Sequence, residues 1–452
     1  MAEASKTDRL SLWKGIDMVY CYLIIMVFIL FLTFLQEKNV YHPAFIFTGV
    51  WVLIVFLTTL KLYELNETSV WAYTVIFLGV LCFFAGCQVR NKFKIRIPKL
   101  KFPFFSSFFS GPEKAESCEL RYKLLIPFYG FVAVVTAVLA SSSIMLMLNG
   151  YTLEQIRFTY NNIEMGTVIK SGFMYRIEMY VIQAAEFAAV ALLPVVLTDR
   201  RKREKKILAL ELIVFLVLHL FVTGARSFII DVVVIFGIYL MMNMSLRKRF
   251  MDYFAKIKKI PIFLIMGGAF ALVVYATLLR KGEGGVLRDL YRYFAISGPL
   301  LDIHLEISAS NSVFTHGWTL LNGLLRPPLS LLHSLGVPFP IGAQQAIDLV
   351  NANNDFYFVG GGKANSFVTV FYYFYMEFGM VSMIALSFWY GTWTQGRYLN
   401  MKRNPDRRNQ AVYLLIAIAL FLSFVRSFLS AYRYVYAFFI LMIAFSKNKK
   451  AT

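Results

Sequence analysis

The sequence predicts an all-α, polytopic membrane protein of about eleven transmembrane helices, and three observations lead there. Of its 452 residues 58% are hydrophobic and 16% charged, against roughly 45–50% and about 25% in a soluble globular chain. The apolar residues come in blocks of about 20, the length a helix needs to cross hydrocarbon while bonding all its own amides. The Lys and Arg residues collect in alternate connections between those blocks, the asymmetry that orients membrane proteins.

The expected spans are 16–35, 43–63, 70–87, 124–147, 177–197, 207–223, 227–244, 260–278, 379–395, 411–427 and 434–446. The first is too long for a signal peptide and no small-residue cleavage site follows, so it is expected to stay. Segments 88–123, 198–206, 245–259, 395–410 and 446–452 carry 9, 6, 6, 5 and 3 Lys/Arg. Segments 149–176, 224–226, 279–364 and 426–433 carry 3, 1, 6 and 2. The first set is therefore expected in the cytoplasm, with the C-terminus, and the second on the outer face. The net charge of +20 needs no nucleic acid to explain it, because runs such as Arg200-Arg201-Lys202-Arg203 serve as cytoplasmic anchors. Three spans before 88–123 put the N-terminus outside, where Lys6, Arg9 and Lys14 sit uneasily. Either it lies there, or one of those spans is miscounted.

The whole chain reads as a single integral membrane domain with three sizeable connections. Segment 88–123, with Lys99-Leu100-Lys101-Phe102-Pro103, suits a strip on anionic lipid. Segment 149–176 is a polar outer loop. Segment 279–364, 86 residues long, has apolar residues at helical spacing over Leu287–Leu305, then Pro327-Pro328, Pro338, Pro340 and a glycine run at 360–362. It reads as a few short helices folded on the outer mouth of the bundle. The stretch from Lys363 to Gly379 reads as an aromatic helix that breaks at Gly379, with a plain interfacial aromatic belt as the simpler alternative. Cys21, Cys82 and Cys87 fall in spans and Cys118 in a cytoplasmic loop, which indicates neither a disulfide nor a zinc site.

The chemistry-bearing residues gather on the outer side. No G-x-x-x-x-G-K-[ST], G-x-G-x-x-G, Asp-x-Asp or H-E-x-x-H pattern exists, so a nucleotide-driven mechanism is not expected. Outer arginines stand out: Arg157, Arg176, Arg226, Arg280, Arg288, Arg292, Arg426 and Arg433, with Lys281 beside Arg280. Any one of them suits a snorkelling anchor. Several guanidinium forks at one headgroup depth suit the phosphates of a lipid-linked diphosphate. His304, His316 and His333 lie in the large outer segment, and His219 seven residues before Arg226 is either a base or a packing histidine. Outer acids that could serve instead are Glu154, Glu164, Glu178, Asp302, Glu306, Asp348 and Asp355. Glu186 and Glu211 fall near or inside spans, where an acid is functional by default.

These stretches resemble bacterial oligosaccharide repeat-unit polymerases of the Wzy type, which build O-antigen, capsule and related polysaccharides of the lipopolysaccharide kind. The resemblance rests on His42-Pro43 leading to Trp51, Leu153–Arg157, Gly224-Ala225-Arg226, Arg292-Tyr293-Phe294, and Asn365, Thr369, Tyr375 and Glu377-Phe378-Gly379. Glu377 stands where the family more usually has Asp. The resemblance implies a polytopic, class C-like glycosyltransferase in the bacterial inner (plasma) membrane, acting on its outer face without nucleotide, metal or cofactor. A glycan on undecaprenyl diphosphate would be transferred to the next lipid-linked repeat unit, releasing the lipid diphosphate. Arg226, Arg280 and Arg426 would hold the diphosphate with Arg157, Arg292 and Arg433 in support, and His304, Glu306 or His219 would take the acceptor proton. The partners implied are the lipid-linked oligosaccharide, the bilayer and a chain-length regulator. A lipid-linked oligosaccharide flippase, an O-antigen ligase and a transporter or channel are the competing readings.

Overall fold

Apolar helices dominate the computed structural model, which describes residues 2–92, 118–152, 155–156, 172–199, 202–223, 227–243, 285–311, 314–360 and 362–447. In chain order these hold α1 (Ala2–Glu37), α2 (Pro43–Thr59), α3 (Val70–Lys92), β1 (Cys118–Leu120) and α4 (Tyr122–Leu148). Next comes α5, a rod of three parts, Gly172–Ile177, Glu178–Ile182 and Gln183–Leu197, then α6 (Lys202–Thr223) and α7 (Ser227–Met242). The long 279–364 segment gives α8 (Val286–Ala295), α9 (Ser297–Asn311), α10 (Trp318–Ser334), α11 (Ile341–Ala352), β2 (Tyr357–Phe358) and β3 (Lys363–Ala364), and α12 (Thr369–Phe378) follows it. The chain closes with α13 (Met380–Arg403), α14 (Arg407–Phe421), α15 (Tyr432–Ile443) and β4 (Phe445–Lys447).

Among the described residues, five helices are long and apolar enough to cross a membrane: Met18–Glu37 within α1, α3, α4, Phe173–Leu197 within α5, and Arg203–Thr223 within α6. Their outward faces carry bare apolar side chains, as lipid contact requires: Ile24 and Phe28 on α1, Val134 and Met145 on α4, Leu210 on α6. The protein is a helical membrane protein. Ten of the eleven expected spans coincide with a helix, several of them shorter than expected, and 260–278 lies outside the described residues.

The chain divides into two compact units. The first comprises Met1–Lys101, Gly284–Leu399 and Ala419–Ser430. Here α1, α2 and α3 alternate in direction. The 38–42 turn lies with the ends of α3 and α13, through Asn39 Nδ2 to Tyr398 (3.4 Å) and Gln88 Nε2 to Gln36 (3.0 Å). The first three expected segments are thus three separate helices. Pro43 opens α2, where its missing N–H costs nothing. Trp51, fully buried, donates to Ser423 Oγ at 3.1 Å, and Phe47 stacks on Phe83 with centroids 4.0 Å apart. Helices α3 and α13 touch backbone to backbone: a Cβ on Gly86 would strike the Phe388 carbonyl, and one on Gly391 the Phe83 carbonyl. Small residues at such crossings let membrane helices approach closely.

From residue 285 the 279–364 segment is a set of short helices, and they cover the other end of this unit. Tyr291 donates to the Leu57 carbonyl (2.9 Å) and accepts from the Leu62 amide (3.0 Å). Asp302 accepts the Ser69 amide (2.7 Å) and the Ser69 hydroxyl, capping the start of α3. Beneath them Leu65, Tyr291, Ala295, Ile296, Leu300, Val359 and Ala364 form an apolar core. The aromatic stretch 369–378 is a helix that breaks at Gly379 (φ +69°), as expected, but it is no surface belt. Val370, Phe371, Tyr372, Tyr373, Phe374 and Met376 are all buried, and the Phe371 ring lies against Gly79.

The second unit comprises Phe102–Glu283, Asn400–Ile418 and Ala431–Thr452. Its centre is α5, whose Ala184, Ala185, Ala188, Ala189 and Ala191 are fully buried and let α6, α7 and α15 pack against it. Helix α4 lies along α6, and β1 pairs antiparallel with β4, Cys118 opposite Lys447. One end of this unit gathers Asp199 with Tyr122 and Arg407 beside the basic start of α6. The opposite end holds the end of α6, the start of α7, the start of α5 and the start of α15. All four cysteines are free thiols.

Candidate functional site

The second unit carries ionisable side chains where a membrane bundle can least support them alone. Glu178 and Glu186 come from α5, His219 from α6 four residues before its end, Asp231 from α7 four residues after its start, and Arg433 from the first turn of α15. Glu178 Oε1 lies 3.0 Å from His219 Nε2, and Glu186 Oε2 lies 3.3 Å from His219 Nδ1. Glu178, His219 and Asp231 are buried and Glu186 is nearly so.

The shape of α5 makes the double contact possible. Two positions eight apart on a regular α-helix differ by about 80° in direction. The Glu178–Ile182 turn is π-helical, and it absorbs one extra residue, so Glu178 and Glu186 differ by only about 20° and both face α6. A single-turn π-bulge of this kind is frequent at functional sites. With a carboxylate at each nitrogen, the His219 ring is satisfied as an imidazolium donating twice. An imidazolium has no lone pair with which to take a proton from a substrate.

Arg433 completes the group. Its guanidinium lies over the Phe187 ring, 5.5 Å from the centroid, and its charge reaches both Glu186 and Asp231. Half-buried, it makes neither an ion pair nor a hydrogen bond among the described residues. It also stands at a helix N-terminus, where unpaired amides and the helix dipole favour an anion. Among the described residues, no set of three or more His, Cys, Asp or Glu side chains is disposed to hold a metal ion.

Four residues singled out in the sequence, His219, Arg433, Glu178 and Glu186, are thus brought together. Asp231 was missed. An acid one turn into the apolar run of α7 was its visible signal, the same intramembrane-acid rule that picked out Glu186.

The remaining residues go elsewhere. Arg157, Arg226 and Arg280 lie outside the described residues, as do Lys281, Glu154 and Glu164. Arg292, in the first unit, donates to the carbonyls of Gly360 (2.8 Å) and Gly362 (3.1 Å), so two of its donors hold the turn between β2 and β3. Arg426, half-buried, sits in the connection from α14 to α15 and belongs to the first unit. His304 is buried between the rings of Tyr357 and Tyr372, each centroid 5.1 Å away. Burial pushes its pKa down to about 4, which leaves a neutral, weakly basic ring at physiological pH. Glu306, two residues on, points to another side of α9 and is exposed. His316 and His333 are exposed, against Phe378 and Phe339. Glu377 caps α10, taking the Thr315 hydroxyl (2.7 Å) and the amides of Gly317 and Leu320 (2.8 Å).

Comparison of the chain with family models, with curated proteins and with solved structures finds no match in any of the three.

Proposed function

We propose that the protein is a polymerase that joins oligosaccharide repeat units carried on a lipid (undecaprenyl) diphosphate, working from the outer face of a bacterial inner membrane and releasing the lipid diphosphate. The observation that carries this reading is Arg433. It is half-buried at a helix N-terminus, and its donors are not engaged by protein among the described residues. Such a guanidinium is suited to phosphate oxygens, and a cation waiting where charge develops on a departing diphosphate lowers the barrier to glycosyl transfer. In this reading the folded layer α8–α12 receives the acceptor sugar, a part that a flippase has no need of.

In this reading the transferred sugar forms its new bond to an acceptor hydroxyl oxygen as its bond to the diphosphate breaks. Arg433 takes up the charge left on the leaving phosphate, and the acceptor proton passes to a carboxylate, since both His219 nitrogens are engaged. The test is an in vitro assay with purified protein in detergent and a lipid-diphosphate-linked repeat unit, read as a ladder of products. Arg433→Ala is expected to weaken the ladder at least 100-fold, the scale on which one preorganised charge contact acts. Arg433→Lys is expected to restore part of it.

A second reading, a lipid-linked oligosaccharide flippase, is favoured by the buried cluster itself, because paired intramembrane charges often line a transport path. Scrambling of the same lipid across liposomes with no ladder from any repeat unit would select that reading. An O-antigen ligase would show transfer of finished polymer to a lipid A core acceptor and no ladder.

A further inference from the structure

We infer that the end of α10 and its connection to α11, residues 331–341, form an arm that dips into the lipid bilayer. This holds for any reaction the protein carries out, because it depends only on the membrane class of the chain.

The arm is bare at its tip. Every residue from Leu331 to Pro338 is exposed, and so are Pro340 and Ile341. The large side chains there are Leu331, Leu332, Leu335, Val337 and Ile341, with Leu335 75% and Ile341 79% exposed. Contiguous bare apolar surface marks a place that meets a partner or a membrane.

The level at which the arm starts points to the membrane. Gly79, which the Phe371 ring meets, lies nine residues, about 13 Å, inside the start of α3. Glu377 is six residues, about 9 Å, further along α12, and it caps α10 at Leu320. Helix α10 therefore starts near the level at which α3, a helix able to span, begins. Its buried residues are Thr319, Asn322 and Gly323, and Asn322 Nδ2 donates to the Ser430 carbonyl at 3.2 Å. Beyond them α10 leaves the unit, and its last residue is within about 20 Å of that level.

Charge and shape choose lipid as the occupant. No Asp or Glu occurs from Ile307 to Ile347, where the ionisable residues are His316, Arg326 and His333. Asp302, Glu306, Asp348 and Asp355 lie on either side of that stretch. Anionic headgroups repel carboxylates and attract basic side chains, so an acid-free, weakly basic arm suits them. A second copy of the chain would cover one side of a projecting tip. Lipid covers every side, as eight successive exposed residues require, and an apolar segment of this kind settles about 5–10 Å into the headgroup–acyl boundary.

The experiment uses the whole wild-type protein in liposomes of phosphatidylethanolamine and phosphatidylglycerol. A small share of the phospholipid carries a diazirine in its acyl chain, and after illumination the adducts are mapped by mass spectrometry. We expect adducts on residues 331–341 at a level similar to that on Ile24 and Phe28, the bare apolar face of α1, and few on Glu306 and Ser310, exposed on α9. In a variant with Leu335→Asp and Ile341→Asp, labelling of the arm should fall about tenfold, because a carboxylate is costly in hydrocarbon, while labelling of α1 stays the same. An unlabelled arm beside a labelled α1 overturns the inference, whether water or a second copy covers the tip. The wild-type map decides the matter even if the variant does not fold.

Discussion

The carboxylate of Glu377, at the end of α12, accepts the backbone amide of Leu320, in the first turn of α10, at 2.8 Å. The same carboxylate takes the Gly317 amide and the Thr315 hydroxyl. A side chain 57 residues downstream thereby does what an N-cap residue does locally. It satisfies amides that a helix leaves bare, and it puts negative charge at the positive end of the dipole. Glu377→Ala is expected to cost about 2–3 kcal/mol, since three donors lose a charged acceptor. Glu377→Gln should cost less. Thermal unfolding in detergent gives the stability, and amide exchange at Gly317 and Leu320 should speed up before exchange in α3 does.

His304 sets an acid limit on the layer of short helices around it. Its folded pKa is lowered by burial from 6.5 to about 4. Between those values the unfolded chain binds a proton that the folded one refuses, so stability falls as pH drops through that window. The loss is about 3 kcal/mol by pH 4, and it levels off below that. His304→Phe should keep the ring packing against Tyr357 and Tyr372 and remove this part of the acid sensitivity. Unfolding midpoints at pH 7 and pH 4.5 for the two proteins test it, and an unchanged difference between the midpoints would sink the argument.

Helices α3 and α13 are expected to tolerate no side chain at their crossing. Gly391→Val drives a branched side chain into the Phe83 carbonyl, and Gly86→Val does the same at Phe388. Each should lose about 2 kcal/mol or more, because neither neighbour is a side chain that can swing aside. The double variant should cost less than the sum, since one separation of the helices relieves both clashes. Unfolding midpoints of the two single variants and the double variant measure this coupling directly.

The His219 contacts should also show coupling. Glu178→Ala leaves a buried cation with one partner where it had two, at an expected cost of about 3 kcal/mol. Adding His219→Leu should recover part of that loss, because the charge is removed along with its need for partners. A double variant that is as unstable as the two losses summed would argue against a charged His219.

Membrane class and helix positions were legible in the sequence. Apolar runs such as Tyr122–Leu148 carry the signal residue by residue, and the breaks at Pro43 and Gly379 fall where the chain marks them. The aromatic stretch Thr369–Phe378 was legible as a helix but not as a buried one. Interfacial and buried aromatic helices share a composition, and only the approach of Gly79 decides between them. Arg292 read as a phosphate contact because it stood among several arginines expected at one headgroup depth. In the fold two of its donors go to the carbonyls of Gly360 and Gly362, a use that depends on a turn 68 residues away.

The candidate site shows the same division. Glu186 and His219 could be suspected singly, since an ionisable group in an apolar run is costly wherever the helix lies. That cost is a property of the local sequence, and so are hydropathy, helix length and the alternation of basic loops that suggest orientation. Which ionisable groups meet is a different kind of quantity. It depends on the rotation of α5 about its own axis, set by one π-helical turn, and on the packing of α6, α7 and α15 around its alanine face. Glu178 and Asp231 reached the same cluster through that geometry, across helices whose residues lie up to about 250 positions apart in the chain. The sequence by itself determined that this is a helical membrane protein with charge where lipid would forbid it. Tertiary packing alone decided which of those charges compensate one another, as Glu178, Glu186 and His219 do.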